Sequence, residues 1–137
     1  MKRLLLYVPI ILLLMYLGYS QIEKKGIETI STNELEEKLK NQDADNRVFV
    51  DVREPYEYEA GYIEGMVNMP LSTLDTEYKK LPKDAEIILL CRSGKRSLQA
   101  AQLLETKGYS NLVSVDGGIQ QWEEIGRASC RERVSTS

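Results

Sequence analysis

The sequence predicts an α/β fold: a four- to five-stranded, mainly parallel sheet with helices on both faces. Three observations predict it. From Ile27 to Trp122 short apolar runs alternate with helix-period segments, without internal repeat or low-complexity stretch. The runs Val48–Val52 and Ile87–Leu90 are almost continuously apolar, as strands buried on both faces of a parallel sheet must be. Between Leu90 and Leu98 a strand passes through a short polar loop into a helix, the βα unit of such folds.

Each element has a local cause. Ser31-Thr32-Asn33-Glu34 has capping-box spacing, and Leu35 with Leu39 makes an apolar i, i+4 pair, so a helix is expected over Thr32 to Lys40. The polar turn Gln42 to Asn46 precedes the β-branched strand Arg47 to Val52. Pro55 suits the first turn of a helix ending near Ala60, where Gly61 stops it. Met66 to Met69 reads as a short strand, and Ser72 or Thr73 as the start of a helix toward Leu81, halted by Pro82. Glu86 to Leu90 is the strongest strand, followed after the loop by the Ala- and Leu-rich helix Leu98 to Lys107, which Gly108 closes. Leu112 to Val115 is a further strand, Gly117-Gly118 a tight turn, and Ile119 to Trp122 the start of a last helix.

Composition limits the chemistry. The 137 residues fit one domain of ordinary size, 42% hydrophobic and 28% charged. A formal charge of -3 gives no reason to expect nucleic acid as a partner. Histidine is absent, which excludes Ser-His-Asp and Cys-His pairs and His-ligated zinc or haem. Cys91 and Cys130 cannot make a structural zinc site by themselves, so no metal is expected.

The two ends read differently from the middle. After Lys2 and Arg3, residues Leu4 to Leu17 form an apolar run of 14, the length of a signal-peptide core and short of the roughly 20 needed to span a bilayer. Residues 1–20 are therefore expected to be a signal peptide, with small residues at Gly18 and Ser20 before Gln21, or an anchor, since the uncharged stretch reaches Ile22. Either reading exports the globular part, to the periplasm or outside the cell, and leaves the membrane in contact with the N-terminal segment alone. Residues 21–26 follow as a linker, and 27–123 as the domain. The tail 124–137 lacks apolar periodicity, and Glu124 to Val134 resembles the translation of a sequencing adapter, so it is set aside as non-native together with Cys130. Residues 21–123 then carry 13 basic and 19 acidic residues, a formal charge of -6.

Asp51 and Cys91 both fall at the carboxyl ends of strands, where functional groups collect in open α/β sheets. A thiol becomes a good nucleophile when ionised, which a helix N-terminus and nearby cations favour. Cys91 is followed by Arg92, Ser93, Gly94, Lys95, Arg96 and Ser97: three of the 13 basic residues lie in one six-residue loop of an acidic domain. The backbone amides of Arg92 to Ser97 have the makings of an anion nest, with the next helix pointing its positive end at the sulfur. Two other readings stand beside this. Cys91 could be a small apolar plug in the core, or a phosphatase nucleophile. The second conflicts with spacing, because cysteine phosphatases use Cys-x5-Arg and the sixth position here is Ser97. Glu54, Glu57 and Glu59 read as a solvated helix face.

Four segments in order carry a resemblance: Asp51-Val52-Arg53-Glu54-Pro55, Gly61 to Pro70, Cys91 to Ser97 and Gly117 to Trp122. Together they resemble a single-domain rhodanese, of the thiosulfate sulfurtransferase family, over about Ile27 to Trp122. The resemblance implies a rhodanese-like fold and a double displacement. Cys91 takes the outer sulfur of thiosulfate or a similar small donor as a persulfide and passes it to cyanide or a thiol, with no cofactor beyond that persulfide. It further implies that the Arg92–Ser97 amides hold the persulfide, that Arg92, Lys95 and Arg96 attract the donor's sulfonate, and that Ser93 and Ser97 are loop and cap hydrogen-bonders. Asp51 and Arg53 would form a buried pair supporting the loop. Tyr62 and Glu64 stand where the family usually has His and Pro. The alternative within the same family is a non-catalytic binding or sulfur-carrier module.

Overall fold

A computed structural model describes residues 3–20, 26–42 and 46–124. The linker positions 21–25, the turn positions 43–45, and the tail from 125, Cys130 with it, lie outside the described residues. Helix α1 is Val8–Ser20; then follow β1 (Glu28–Ile30), α2 (Thr32–Lys40), β2 (Arg47–Asp51), α3 (Pro55–Ala60), β3 (Val67–Asn68) and α4 (Leu71–Glu77). After a 3-10 turn over Tyr78–Lys80 come β4 (Glu86–Leu90), α5 (Lys95–Thr106), β5 (Leu112–Val115) and a last helix, α6, described over 118–124.

The five strands form one parallel sheet in the order β1-β5-β4-β2-β3. Because β4 is buried on both sides, its successive side chains feed two cores. Ile87, Leu89 and Cys91 pack with Leu74, Ala100, Ala101 and Leu104 of α4 and α5. Ile88 and Leu90 pack with Leu35, Ile63, Ile119 and the half-buried Trp122 on the other face. Helices thus cover both faces. From β2 the chain steps outward to β3, and from β4 it steps the opposite way to β5, so the carboxyl ends of β2 and β4 border the switch point of the sheet.

Most expected elements are found, with local differences. The capping box at Ser31 is made in full, Glu34 N on Ser31 Oγ at 3.3 Å and Ser31 N on Glu34 Oε2 at 2.7 Å. The fifth strand, β1, carries no sequence signal of its own: it is three residues long, and only Ile30 is buried. Helix α4 begins at Leu71, earlier than Ser72, because Pro70 supplies the capping geometry. Helix α5 begins at Lys95 and not Leu98, because Gly94 adopts a left-handed conformation (φ 100°) that lets the loop close onto the helix three residues sooner. The apolar side chains of α1 are exposed, from Val8 at 47% to Tyr19 at 77%. No described helix is long and apolar enough to cross a membrane.

The α4 side of the core is fastened by Tyr109. Its ring is buried, and its hydroxyl reaches Tyr78 O at 2.7 Å and Leu81 O at 2.8 Å. Tyr109→Phe should cost about 1 kcal/mol through the lost donor. Urea denaturation would show it as a lower midpoint, and an unchanged midpoint would mean that the two carbonyls find equivalent partners without the phenol.

Candidate active site

Cys91 follows β4 directly and is 1% exposed. Its Sγ accepts the Gly94 amide at 3.0 Å and lies 3.7 Å from Ser97 Oγ. Ser97 is fully buried and donates to Gly94 O at 3.0 Å, so its 2.8 Å contact with Ser114 Oγ is made with Ser114 donating. Two buried hydroxyls therefore lie beneath the sulfur. Of the nest expected from the Arg92–Ser97 amides, Gly94 N is the one that donates to Sγ among the described residues. Arg92, Ser93 and Lys95 are exposed at the rim.

The loop is held from the far side by α6. Ile119 N donates to Cys91 O at 2.9 Å and Gln120 N to Arg92 O at 3.2 Å. Gly117 (φ 73°) and Gly118 (φ 56°) make this approach, and any side chain on Gly118 would overlap the carbonyls of Cys91 and Arg92. The sequence marks the Gly-Gly pair as a turn. Its second task, giving the last helix access to the cysteine backbone, is visible only in three dimensions.

Asp51 and Arg53 form the expected buried pair, with side chains 0% and 6% exposed. Arg53 Nε donates to both carboxylate oxygens at 3.0 Å, Nη2 to Oδ2 at 2.8 Å, and the Arg53 amide to Oδ1 at 3.0 Å. Arg53 then reaches Glu57 O at 3.2 Å and Gly61 O at 2.7 Å, bracketing α3. Asn68 of β3, missed in the sequence, closes the group by donating to Asp51 O and Arg53 O. The pair supports α3 directly and the cysteine loop only through it.

One expectation is corrected. Glu57 is not on a solvated face: it is 16% exposed and grips Arg96 with both oxygens, at 2.6 and 2.8 Å. Glu54 and Glu59 do not share that partner. Arg96, in turn, has its fork filled by a carboxylate. Arg92 instead lines a cleft of about 360 Å³ together with Arg53, Tyr56, Glu57, Gln120 and Glu123. Tyr62 faces a different groove, beside Trp122, and stacks on Tyr58 with ring centroids 4.7 Å apart. With Tyr62 at that position, Asp51 is bound by the side chain and the amide of Arg53.

The Arg96 hydrogen bonds hold the Glu57 carboxyl well below its ordinary value of 4.5, at about 2, although partial burial opposes the shift. A depressed folded value means that the pair's stabilisation is fully present above about pH 4.5 and is lost as the pH falls toward 2. The stability gap between the parent chain and Glu57→Gln should accordingly shrink over that window. Urea midpoints measured at a series of pH values would test this, and a gap constant with pH would show that the charge of Glu57 is not what stabilises the pair.

Comparison with known proteins agrees with this geometry. A model of the Rhodanese-like domain matches residues 31–125, well over half of the chain. A sulfurtransferase from Allochromatium vinosum is 31% identical over 100 residues, covering 73% of this chain and 92% of that protein. The thiosulfate sulfurtransferase GlpE of Pseudomonas entomophila is 34% identical over 79 residues, covering 58% of this chain and 72% of its own. The structure of a human single-domain sulfurtransferase superposes with a TM-score of 0.61 at 29% identity, covering 72% of this chain and 97% of that one. With the parallel sheet, the cysteine loop closing β4 and the Asp51–Arg53 pair beside it, these matches establish that the chain belongs to the rhodanese-like domain family.

Proposed function

We propose that the protein is an exported sulfurtransferase that moves sulfane sulfur from thiosulfate or a similar donor, through a persulfide on Cys91, to cyanide or a thiol. The observation that carries the reading is the Gly94 amide on Cys91 Sγ, at a loop too short for cysteine-phosphatase chemistry and fixed at both ends. In the first half-reaction the Cys91 thiolate attacks the outer sulfur of thiosulfate. A new S–S bond forms, the S–S bond of the donor breaks, and sulfite leaves with its electron pair. In the second, cyanide or a thiolate attacks the outer sulfur of the persulfide and Cys91 departs as thiolate, so the chain ends unchanged.

The residues divide the work. The Gly94 amide stabilises the sulfur anion, and Ser97, which donates to Gly94 O and accepts from Ser114, holds that amide's loop against the sulfur. Arg92 and Lys95, exposed at the rim, attract the donor's sulfonate. Arg96 acts through the loop. Asp51 and Arg53 hold α3 in register. No metal or cofactor enters this scheme. The N-terminal segment directs the domain out of the cytoplasm, a reading supported by the uniformly apolar and exposed surface of α1.

Intact mass before and after thiosulfate, then after cyanide, tests the chemistry. The expected result is a gain of one sulfur atom on Cys91, lost to cyanide as thiocyanate. Cys91→Ser should keep the fold and lose both steps, and a serine variant that still turned over would remove the persulfide from the mechanism. A reduced, folded parent chain that takes no sulfur from thiosulfate would favour a non-catalytic module. Fractionation of expressing cells should recover the domain outside the cytoplasm or with membranes, and recovery wholly in the cytosol would overturn the export reading.

A further inference from the structure

Glu57 lies outside every motif that marks the site, yet its carboxylate stands where two helices meet. Oε2 accepts Glu54 N at 3.1 Å and Arg96 Nη1 at 2.6 Å, while Oε1 accepts Arg96 Nη2 at 2.8 Å. The first contact completes the start of α3, and the other two seize the first turn of α5. With side chains 16% and 30% exposed, the pair is largely withdrawn from water, and a two-pronged guanidinium–carboxylate contact fixes orientation as well as distance. Behind it, Arg53 donates to Glu57 O and is itself held by Asp51. A continuous polar chain therefore runs from the buried carboxylate at the end of β2 to the helix turn that carries Gly94 and Ser97, the two groups nearest Cys91 Sγ.

We propose that Glu57 is a positioning residue for Cys91: by gripping Arg96 it fixes the first turn of α5, and with it the Gly94 amide and Ser97 hydroxyl that face the sulfur. The same grip neutralises Arg96 as a receptor for anions, which assigns recognition of the donor to Arg92 and Lys95. A plain strut between α3 and α5 would affect stability alone. A positioning group changes the reactivity of a thiol that it does not touch. The catalytic consequence rests on the sulfur-transfer reading above, whereas the effect on thiol reactivity does not.

Glu57→Gln keeps the shape and removes the charge. Sulfur loading from thiosulfate at saturation should slow by about tenfold, as expected when a reacting group is displaced by a fraction of an ångström. The half-saturating donor concentration should change by less than about twofold, because the donor's own cations are untouched. Alkylation of Cys91 by iodoacetamide at neutral pH should slow in parallel. Glu57→Asp, which restores the charge on a shorter stem, should recover part of both rates, and Tyr109→Phe controls for stability loss remote from the site. Should Glu57→Gln fail to fold, Arg96→Lys breaks the same fork with Glu57 intact and should slow both reactions. A folded Glu57→Gln with parental loading and alkylation rates overturns the proposal, as does a rise in the half-saturating concentration with loading at saturation unchanged. If the parent takes no sulfur while Glu57→Gln still slows alkylation, the sulfur-transfer reading fails and the positioning role stands.

Discussion

Burying the Asp51 carboxylate at the end of β2 is the constraint around which the site is arranged. An isolated charge there would cost several kcal/mol, and a single cation beside it would not by itself repay the loss. Arg53 offsets it by geometry: its side chain and its own amide both reach the carboxylate, and two further donors go to Glu57 O and Gly61 O. Those two carbonyls belong to the middle and the C-cap of α3, a helix with no buried residue of its own. What apolar packing does not provide for α3, the ion pair provides. Removing either partner would strand a buried charge and release the helix.

From that anchor the constraint passes across the switch point of the sheet. Asp51 pairs in register with Leu90, so the residue after β4 emerges beside the residue after β2. Cys91 is that residue. A loop of only two residues separates it from the capping position Gly94, and such a loop can turn back on the sulfur only with a left-handed residue at its end. α6 then meets the backbone of Cys91 and Arg92 with its first amides, which requires Gly118 to come closer than any side chain allows. The sulfur is thus surrounded by main chain on two sides and by the Ser97–Ser114 hydroxyls below.

Much of this was legible in the sequence where the cause is local. The capping box at Ser31 fixes the start of α2, and the continuous apolarity of Ile87 to Leu90 marks a strand buried on both faces, with the cysteine at its carboxyl end. β1 left no trace because a three-residue edge strand with one buried side chain has no period to detect. Glu57 was misread for another reason. Among Glu54, Glu57 and Glu59 local spacing favours solvent, and the partner that overrides it is 39 residues away. The pairing of Arg96 was invisible for the same reason: the sequence counts cations in the loop but does not say which are already paired. Asn68 and Ser114 escaped notice because single polar residues in short strands acquire meaning only from the neighbour strand.

The pairing of Arg96 also resolves a conflict in the loop's charge. A thiol gains from nearby cations, but a free guanidinium beside it would compete for the sulfur and move with every bound anion. Clamped to Glu57, Arg96 contributes its position, with its charge balanced within the pair, while the exposed cations Arg92 and Lys95 remain at the rim. In a domain whose formal charge is -6 over residues 21–123, those two side chains place positive charge beside the cysteine loop. Under the proposed sulfur transfer, attraction of a charged donor and order around Cys91 fall to different residues of the segment from Arg92 to Ser97. The chain of contacts from Asp51 through Arg53 and Glu57 to Arg96 ties the main chain around the sulfur to the end of β2, independently of the exposed rim.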